Sequence, residues 1–287
     1  MKNFHSKCPA KINLFLKLTG KYSGGFHELE SLFAFLDLTD ELSVEKNTEF
    51  NLKISGEFAS KLDKKNNLFT KILDYFATEF GISKNLNINI TKNIPVSAGL
   101  GGGSSNAASF IHALNQIFAL GLSLNELQKI SLQFGSDIAF LLQNNAAIIR
   151  GRGEIIENFP DFAPIPILLI NPKIEVSTKE IFTKFDGNFS AKTSNENLLK
   201  TDVFNLLKNM PNDLQKPAIA ALPLISEIIE NLKNCGAEIS KMSGSGASCF
   251  GVFSDSTQLN LAEEFFQKNH PNFFIKKTNI YSARTNA

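Results

Sequence analysis

The chain has no tryptophan, and only three tyrosines, three methionines and three cysteines. Its 26 phenylalanines must therefore supply most of the large aromatic volume of any core. Cys8, Cys235 and Cys249 are odd in number and contain no C-x-x-C pair, which argues against a disulfide framework and a structural zinc site. Charge of one sign is also lacking: 29 Lys plus Arg face 28 Asp plus Glu, a net charge of +1. No strong field draws such a chain to nucleic acid or an anionic membrane, so neither is an expected partner. The dense basic runs, Lys64–Lys65 and Lys276–Lys277, are short and read as solvated faces. No run approaches the roughly 18 apolar residues of a membrane helix, and the first residues hold no apolar stretch of signal-peptide length. A cytoplasmic protein is expected. Repeats, low-complexity tracts and coiled-coil heptads are missing too, which leaves a monomer or weak homodimer as the expectation.

What is present is an ordinary globular composition, 43% hydrophobic and 20% charged over 287 residues, enough for one large domain or two modest ones. Ile12–Leu18, Leu32–Leu38 and Glu41–Val44 read as strands, and Gly20–Gly25 as a turn. Leu68, Ile72, Leu73, Phe76 and Phe80 recur at helical spacing over Asn67–Phe80. Leu86, Ile88 and Ile90 alternate with polar residues, a strand with one wet face. A helix is expected over Ser104–Leu120, with Ser104 and Ser105 as candidate caps. Ser123-x-x-Glu126 is a capping box, and Gly135 would end the helix it opens. Ser136–Asp137 reads as the cap of another short helix through Leu142, and Ala146–Arg150 as a strand. A domain boundary is placed close behind the G-R-G at Gly151–Gly153. Beyond it, Ile167–Ile170, Ser248–Phe253 and Phe273–Tyr281 read as strands. Helices are expected from Ser177, over Ala218–Leu222 and Leu224–Cys235, and over Leu259–Gln267. Gly187–Asn197 is polar and reads as a mobile loop.

The segment Pro95–Ala108, P-V-S-A-G-L-G-G-G-S-S-N-A-A, carries four glycines in five positions and runs straight into an amphipathic helix. Such a loop aims free N–H groups and a positive helix end at one spot, an anion site suited to a phosphate chain. A flexible loop with a serine cap is the plainer reading. A dinucleotide fingerprint fits poorly: Ser104 replaces the third glycine, and the preceding strand is half polar. A Walker-A loop is rejected because the G-K-[S/T] ending is missing.

Three segments taken together, P-A-K-I-N-L-F-L at Pro9–Leu16, the glycine loop, and K-M-S-G-S-G-A-S-C-F-G at Lys241–Gly251, resemble the galactokinase, homoserine kinase, mevalonate kinase and phosphomevalonate kinase (GHMP) superfamily. G-G-F-H-E-L-E-S-L-F at Gly24–Phe33, G-S-D-I-A-F at Gly135–Phe140, V-S-T at Val176–Thr178 and N-D-L at Asn212–Leu214 resemble the branch that phosphorylates the 2-hydroxyl of a cytidine diphosphate-linked methylerythritol in non-mevalonate isoprenoid synthesis. The resemblance runs from Pro9 to about Phe253.

It implies a two-domain α+β fold with the active site in the cleft between domains: a nucleotide-binding unit over 1–155 and a substrate-side unit over 156–287. It implies ATP with Mg²⁺, and a small-molecule acceptor carrying a cytidine diphosphate group. The nucleotide would lie against Asn67 and the loop Pro95, Val96, Ser97, Ala98, Gly99, Leu100, Gly101, Gly102, Gly103, Ser104 and Ser105. One of the two serines would touch Mg²⁺ or a phosphate oxygen, and no protein metal-ligand cluster is expected.

Asp137 reads from sequence as a capping carboxylate or as a proton acceptor held at a helix end. The resemblance favours the second, with Lys11 stabilising charge beside it. Asn13 shares the Lys11 face by strand periodicity and would meet the substrate. Phe26 and His27 would stack on and read the pyrimidine, with Phe182 as a second face. Phe26 stands where the family often has Tyr, and Gln215 where Glu is common. Two alternatives remain open at this level: another kinase of the superfamily, and a non-catalytic nucleotide-binding protein.

Overall fold

The computed structural model describes residues 3–61 and 67–284; the Lys64–Lys65 run lies outside them. The chain begins with two long strands, β1 (Phe4–Lys21) and β2 (His27–Lys46), paired antiparallel along almost their whole length. The two strands expected over Leu32–Leu38 and Glu41–Val44 are thus one. The polar Asp37-Leu38-Thr39-Asp40 stretch looks like a break in sequence, but Asp40 is fully buried and paired, so the strand continues through it.

After β3 (Asn51–Ser55), α1 (Leu68–Phe80) buries Phe69, Ile72, Leu73 and Phe76, each stabilising the fold by roughly 1.5–3 kcal/mol through transfer from water. Then come β4 (Leu86–Thr91), α2 (Gly102–Ile117), α3 (Leu124–Ser131), α4 (Ser136–Leu141), β5 (Ala147–Gly151) and β6 (Ile155–Asn158). Helix α2 starts two residues before Ser104, with Gly101 as its cap and no side-chain cap bond, so Ser104 and Ser105 lie inside the first turn and cap nothing. The Ser123–Glu126 capping box is present. Gly135 does not close α3, which stops at Ser131; it is the cap of α4 instead.

The second half runs β7 (Ile165–Asn171), α5 (Thr178–Thr183), α6 (Asn195–Lys200), α7 (Val203–Asn209), α8 (Gln215–Ala221), α9 (Leu224–Asn234), β8 (Ile239–Met242), β9 (Cys249–Val252), α10 (Ser256–Asn269) and β10 (Phe274–Tyr281). Lys276 and Lys277 on β10 are exposed. All strands join one sheet of order β3-β4-β2-β10-β7-β9-β8, with β1 on the other edge of β2, and β5 joining β2 to β6. Only Phe35 and Leu36 of β2 pair with β10, so the sheet itself is continuous across the halves over a short ladder. A shared apolar cluster, from Ala10, Ile12 and Leu14 to Leu169, Leu206 and Phe250, packs the halves together.

The 187–197 stretch is not loose. Ser190 N–H donates to Leu18 O (2.8 Å), and Thr193 N–H to Glu30 (3.2 Å). Lys17 Nζ donates to both Glu30 Oε1 and Thr193 Oγ1 (2.7 Å each). Glu30 is 1% exposed, so a buried ion pair straps this segment to the sheet. No helix among the described residues is long and apolar enough to cross a membrane.

Candidate active site

Two register shifts, at Pro9/Lys11 and Asn13/Phe15, flank the stretch of β1 that carries Lys11 and Asn13. Bulges of this kind re-aim side chains. Lys11 and Asn13 point the same way: Lys11 Nζ donates to Asn13 Oδ1 (2.8 Å). Asn13 Nδ2 donates to Ser31 Oγ (3.0 Å), and its backbone N–H to Ser243 Oγ (3.1 Å). Lys11 is 5% exposed and sits 4.6 Å from the centroid of the Phe33 ring.

Asp137 lies in the first turn of α4. Neither it nor Ser136 makes a capping bond, so the capping reading of both is excluded. Asp137 Oδ2 instead lies 3.4 Å from Lys11 Nζ, and its side chain stays 34% exposed. Phe140, three residues on, fixes the helix by stacking on Phe35 (4.9 Å) and meeting Phe33 edge-on (5.2 Å).

The glycine loop closes over the same lysine. Lys11 N–H donates to Leu100 O (2.9 Å). Gly101 has φ +66°, and a Cβ there would lie 2.7 Å from Lys11 Cγ. Gly99 has φ +74°, and its Cβ would lie 2.9 Å from Gly246 O of the second glycine cluster, where Ser248 Oγ also donates to Ala98 O (2.7 Å). These glycines are needed because chain meets chain. Gly103 differs, with nothing within 4 Å of its absent side chain. The first intrahelical bond of α2 runs from Ser105 N to Gly101 O (2.8 Å), so the N–H groups of Gly102, Gly103 and Ser104 precede it and remain for an anion.

The two serines are not equivalent. Ser104 is half-buried, whereas Ser105 is fully buried and its hydroxyl has no hydrogen-bond partner among the described residues. Asn67 caps α1, its Oδ1 accepting from Thr70 N–H (3.1 Å). No cluster of three His, Cys, Asp or Glu suited to a metal occurs among the described residues. The donors at this site fit a nucleotide whose own phosphates supply most ligands to an accompanying cation.

Beside Asp137 opens a cleft of about 1110 Å³, lined by Ser136, Phe26, His27, Arg152, Thr178 and Phe182 among others. The sequence-predicted trio is brought together here: His27 and Phe182 are 5.6 Å apart, and Phe26, 55% exposed, lines the same cleft. Phe185 and Phe189 also surround His27, at 5.7 and 6.2 Å. Burial, and then the nearby Lys21, pull the His27 pKa below its ordinary value, so the ring is neutral at pH 7 with one donor and one acceptor nitrogen.

Sequence reasoning missed Arg152, whose guanidinium lies over Phe26 at 3.9 Å. The signal was the G-R-G around it. A Cβ at Gly153 would lie 2.7 Å from Ser136 Cβ, so the turn abuts the start of α4 and pushes Arg152 into the cleft. The N-D-L motif is structural. Asn212 Nδ2 donates to Met242 O and Gly244 O (2.8 and 2.9 Å), and Asp213 Oδ2 accepts from Leu18 N–H (2.7 Å). Gln215 accepts from Met242 N–H (3.1 Å), a bond that needs no charge.

The two kinds of glycine predict different outcomes. Gly101→Ala is expected to cost roughly 1–3 kcal/mol of stability through backbone strain and to lower kcat by displacing Lys11. Gly103→Ala is expected to keep or gain stability, by up to about 1 kcal/mol, while raising the KM for nucleotide. Thermal denaturation and steady-state kinetics on both variants check this; an unchanged Gly101→Ala enzyme would remove the close-approach explanation.

Comparison with known proteins agrees with this geometry. The GHMP kinases N terminal domain matches residues 67–151, and the GHMP kinases C terminal domain residues 194–272. A 4-diphosphocytidyl-2-C-methyl-D-erythritol kinase of Anaplasma phagocytophilum is 34% identical over 285 residues, covering 98% of this chain and 95% of that protein. One from Wolbachia pipientis wMel is 32% identical, covering 98% and 99%. A crystal structure of 4-(cytidine 5'-diphospho)-2C-methyl-D-erythritol kinase superposes with a TM-score of 0.80 at 26% identity, covering 97% of this chain and 99% of that one. An α+β kinase scaffold, a lysine–aspartate pair under a glycine loop and near-full-length likeness thus converge, and the chain belongs to the 4-diphosphocytidyl-2-C-methyl-D-erythritol kinase family of the GHMP kinases.

Proposed function

We propose that this kinase transfers the terminal phosphoryl group of ATP to the 2-hydroxyl of 4-diphosphocytidyl-2-C-methyl-D-erythritol, a step of non-mevalonate isoprenoid precursor synthesis. The observation that carries it is continuity. Phe26, His27 and Phe182 share a cleft with Ser136; Asp137 follows Ser136; Lys11 lies 3.4 Å from Asp137; and the glycine loop abuts Lys11. An acceptor in the cleft therefore meets a nucleotide on the loop at the lysine–aspartate pair.

Asp137 takes the proton as the acceptor oxygen bonds to the γ-phosphorus and the bond to the bridging oxygen of ADP breaks. Lys11 offsets the developing negative charge, and Asn13 holds the lysine and the acceptor hydroxyl in place. The loop from Pro95 to Ser105 binds the phosphates and Asn67 borders the adenine. Mg²⁺, when bound, neutralises phosphate charge; Ser104 is the hydroxyl best exposed to meet it. Phe26 and Phe182 sandwich the cytosine, neutral His27 reads its edge, and Arg152 attracts the diphosphate. The halves 1–155 and 156–287 act as two domains. A cytoplasmic monomer or weak homodimer is the working state.

Purified protein with ATP, Mg²⁺ and 4-diphosphocytidyl-2-C-methyl-D-erythritol is expected to release ADP and phosphorylated product in equal amounts. ADP release with homoserine or mevalonate and none with the cytidine compound would sink the assignment.

A further inference from the structure

Three residues beyond β10, Arg284 turns back onto the end of α4. Its backbone N–H donates to Asn144 O (2.7 Å). Its guanidinium makes three bonds: Nη1 donates to Leu141 O (3.3 Å), and Nη2 to Lys7 O (3.1 Å) and Ser109 Oγ (3.3 Å). None of these partners is a carboxylate, the usual mate of a sheltered arginine. The three oxygens instead belong to the three elements that meet at the chemistry. Leu141 ends α4, whose first turn carries Asp137. Lys7 precedes Lys11 by four residues on β1. Ser109 lies in α2, the helix opened by the glycine loop.

The physical reason for a cation there is clear. Leu141 O is one of the carbonyls left without a partner at a helix end, and a positive charge complements that end of the helix. Two other side chains grip the same short helix. His112 Nε2 donates to Leu142 O (2.9 Å), and Gln128 Nε2 to Ala139 O (3.0 Å). Each ties α4 to one neighbouring helix, whereas the planar fork of Arg284 ties it to a strand and a helix at once. Helix α4 has only six residues, so little of its own length is available to fix its position.

We infer that Arg284 is a positioning residue for phosphoryl transfer: it sets the spacing of Lys11, Asp137 and the phosphate end of α2 without reaching the reacting atoms. Misplacement of a catalytic group by about 1 Å can lower a rate on the order of 100-fold. The inference rests on the roles given to Lys11 and Asp137.

The test is steady-state kinetics of Arg284→Met and Arg284→Lys in the full chain, normalised to folded protein. Arg284→Met is expected to lower kcat roughly 10–100-fold with both KM values within about 2-fold, because the guanidinium bonds to protein oxygens and not to substrate. Arg284→Lys is expected to fall between, since a point-like ammonium replaces the fork. Millimolar guanidinium should restore part of the Arg284→Met rate and leave the wild type unchanged. Wild-type kcat in both variants, or losses confined to KM, overturns the inference. A drop in Tm with unchanged kcat and no rescue also overturns it, leaving Arg284 purely structural. If Arg284→Met does not fold, Arg284→Lys decides by the same kcat-against-KM split. Normal turnover in Asp137→Asn would instead remove the proton-acceptor assignment; an inactive Asp137→Asn with wild-type Arg284→Met removes the positioning role alone.

Discussion

Asp137→Asn is expected to lower kcat by roughly 10²–10⁴-fold, the range that a positioned proton acceptor contributes. The fold should stand. The carboxylate caps no helix, keeps 34% of its surface exposed and makes one ion pair, at 3.4 Å. A pair of that exposure contributes about 1 kcal/mol or less, so the Tm should move by only a few degrees. Nucleotide affinity should survive because the loop N–H groups are untouched. The measurement is single-turnover product formation alongside nucleotide titration and a thermal scan. A variant that turns over at the wild-type rate would show that the acceptor hydroxyl loses its proton elsewhere. A variant that is inactive but also unfolded would mean that Asp137 supports α4 in a way that its contacts do not reveal.

Asp40→Ala is expected to be the most destabilising single change outside the apolar core. Asp40 is fully buried. Oδ1 accepts from the backbone N–H of Asn93 (2.7 Å) and Ile94 (2.9 Å). Oδ2 accepts from Asn106 Nδ2 (2.9 Å) and from Lys92 Nζ. Lys92, itself 2% exposed, also donates to Asn106 Oδ1 (2.7 Å). The network is closed on itself. Removing the carboxylate leaves a buried ammonium and the buried Ile94 N–H short of an acceptor, at a cost of roughly 3–5 kcal/mol. That is a large part of the ~5–15 kcal/mol that holds a typical domain together. Asn93 and Ile94 lead into Pro95, so the glycine loop should lose its footing first. Denaturant titration should show a lower midpoint, and kinetics a raised KM for ATP. Asp40→Ala combined with Lys92→Met should recover much of the loss, since no charge is then left unpaired. A single variant within about 1 kcal/mol of wild type would contradict the burial argument.

The features that sequence made legible are those governed by local periodicity. Lys11 and Asn13 fall on one strand face because strands alternate, and the structure joins them at 2.8 Å. The Ser123–Glu126 box and the helix over Leu68–Phe80 depend on spacing within a few residues, and both are present. What stayed hidden depends on partners far along the chain. The single strand β2 reads as two in sequence, Leu32–Leu38 and Glu41–Val44, because Lys92, the mate that lets Asp40 be buried between them, lies 52 positions away. The polar 187–197 segment looked mobile because Lys17 and Glu30, which hold it, belong to the first two strands. Gly99 and Gly101 suggested room for a ligand, but the neighbours that exclude a side chain are Gly246 and Lys11. Ser136 and Asp137 looked like caps because a cap and a cleft residue occupy the same place at a helix start. Arg152 went unnoticed because its turn carries no periodic signal; only the fit of Gly153 against Ser136 aims it at Phe26.

The order in which the strands leave the ribosome runs against the order in which they lie. β10, made after every other strand described, is an inner strand of the sheet, pairing with β7 from Phe274↔Asn171 to Ile280↔Ile165 and touching β2 on its other side. Until residues 274–281 emerge, β7 has an open edge and the two halves of the sheet have no common strand. Unpaired apolar edges of this kind recruit other chains. A chain that ends before β10 is therefore expected to expose the β7 edge and to aggregate rather than to form a smaller enzyme.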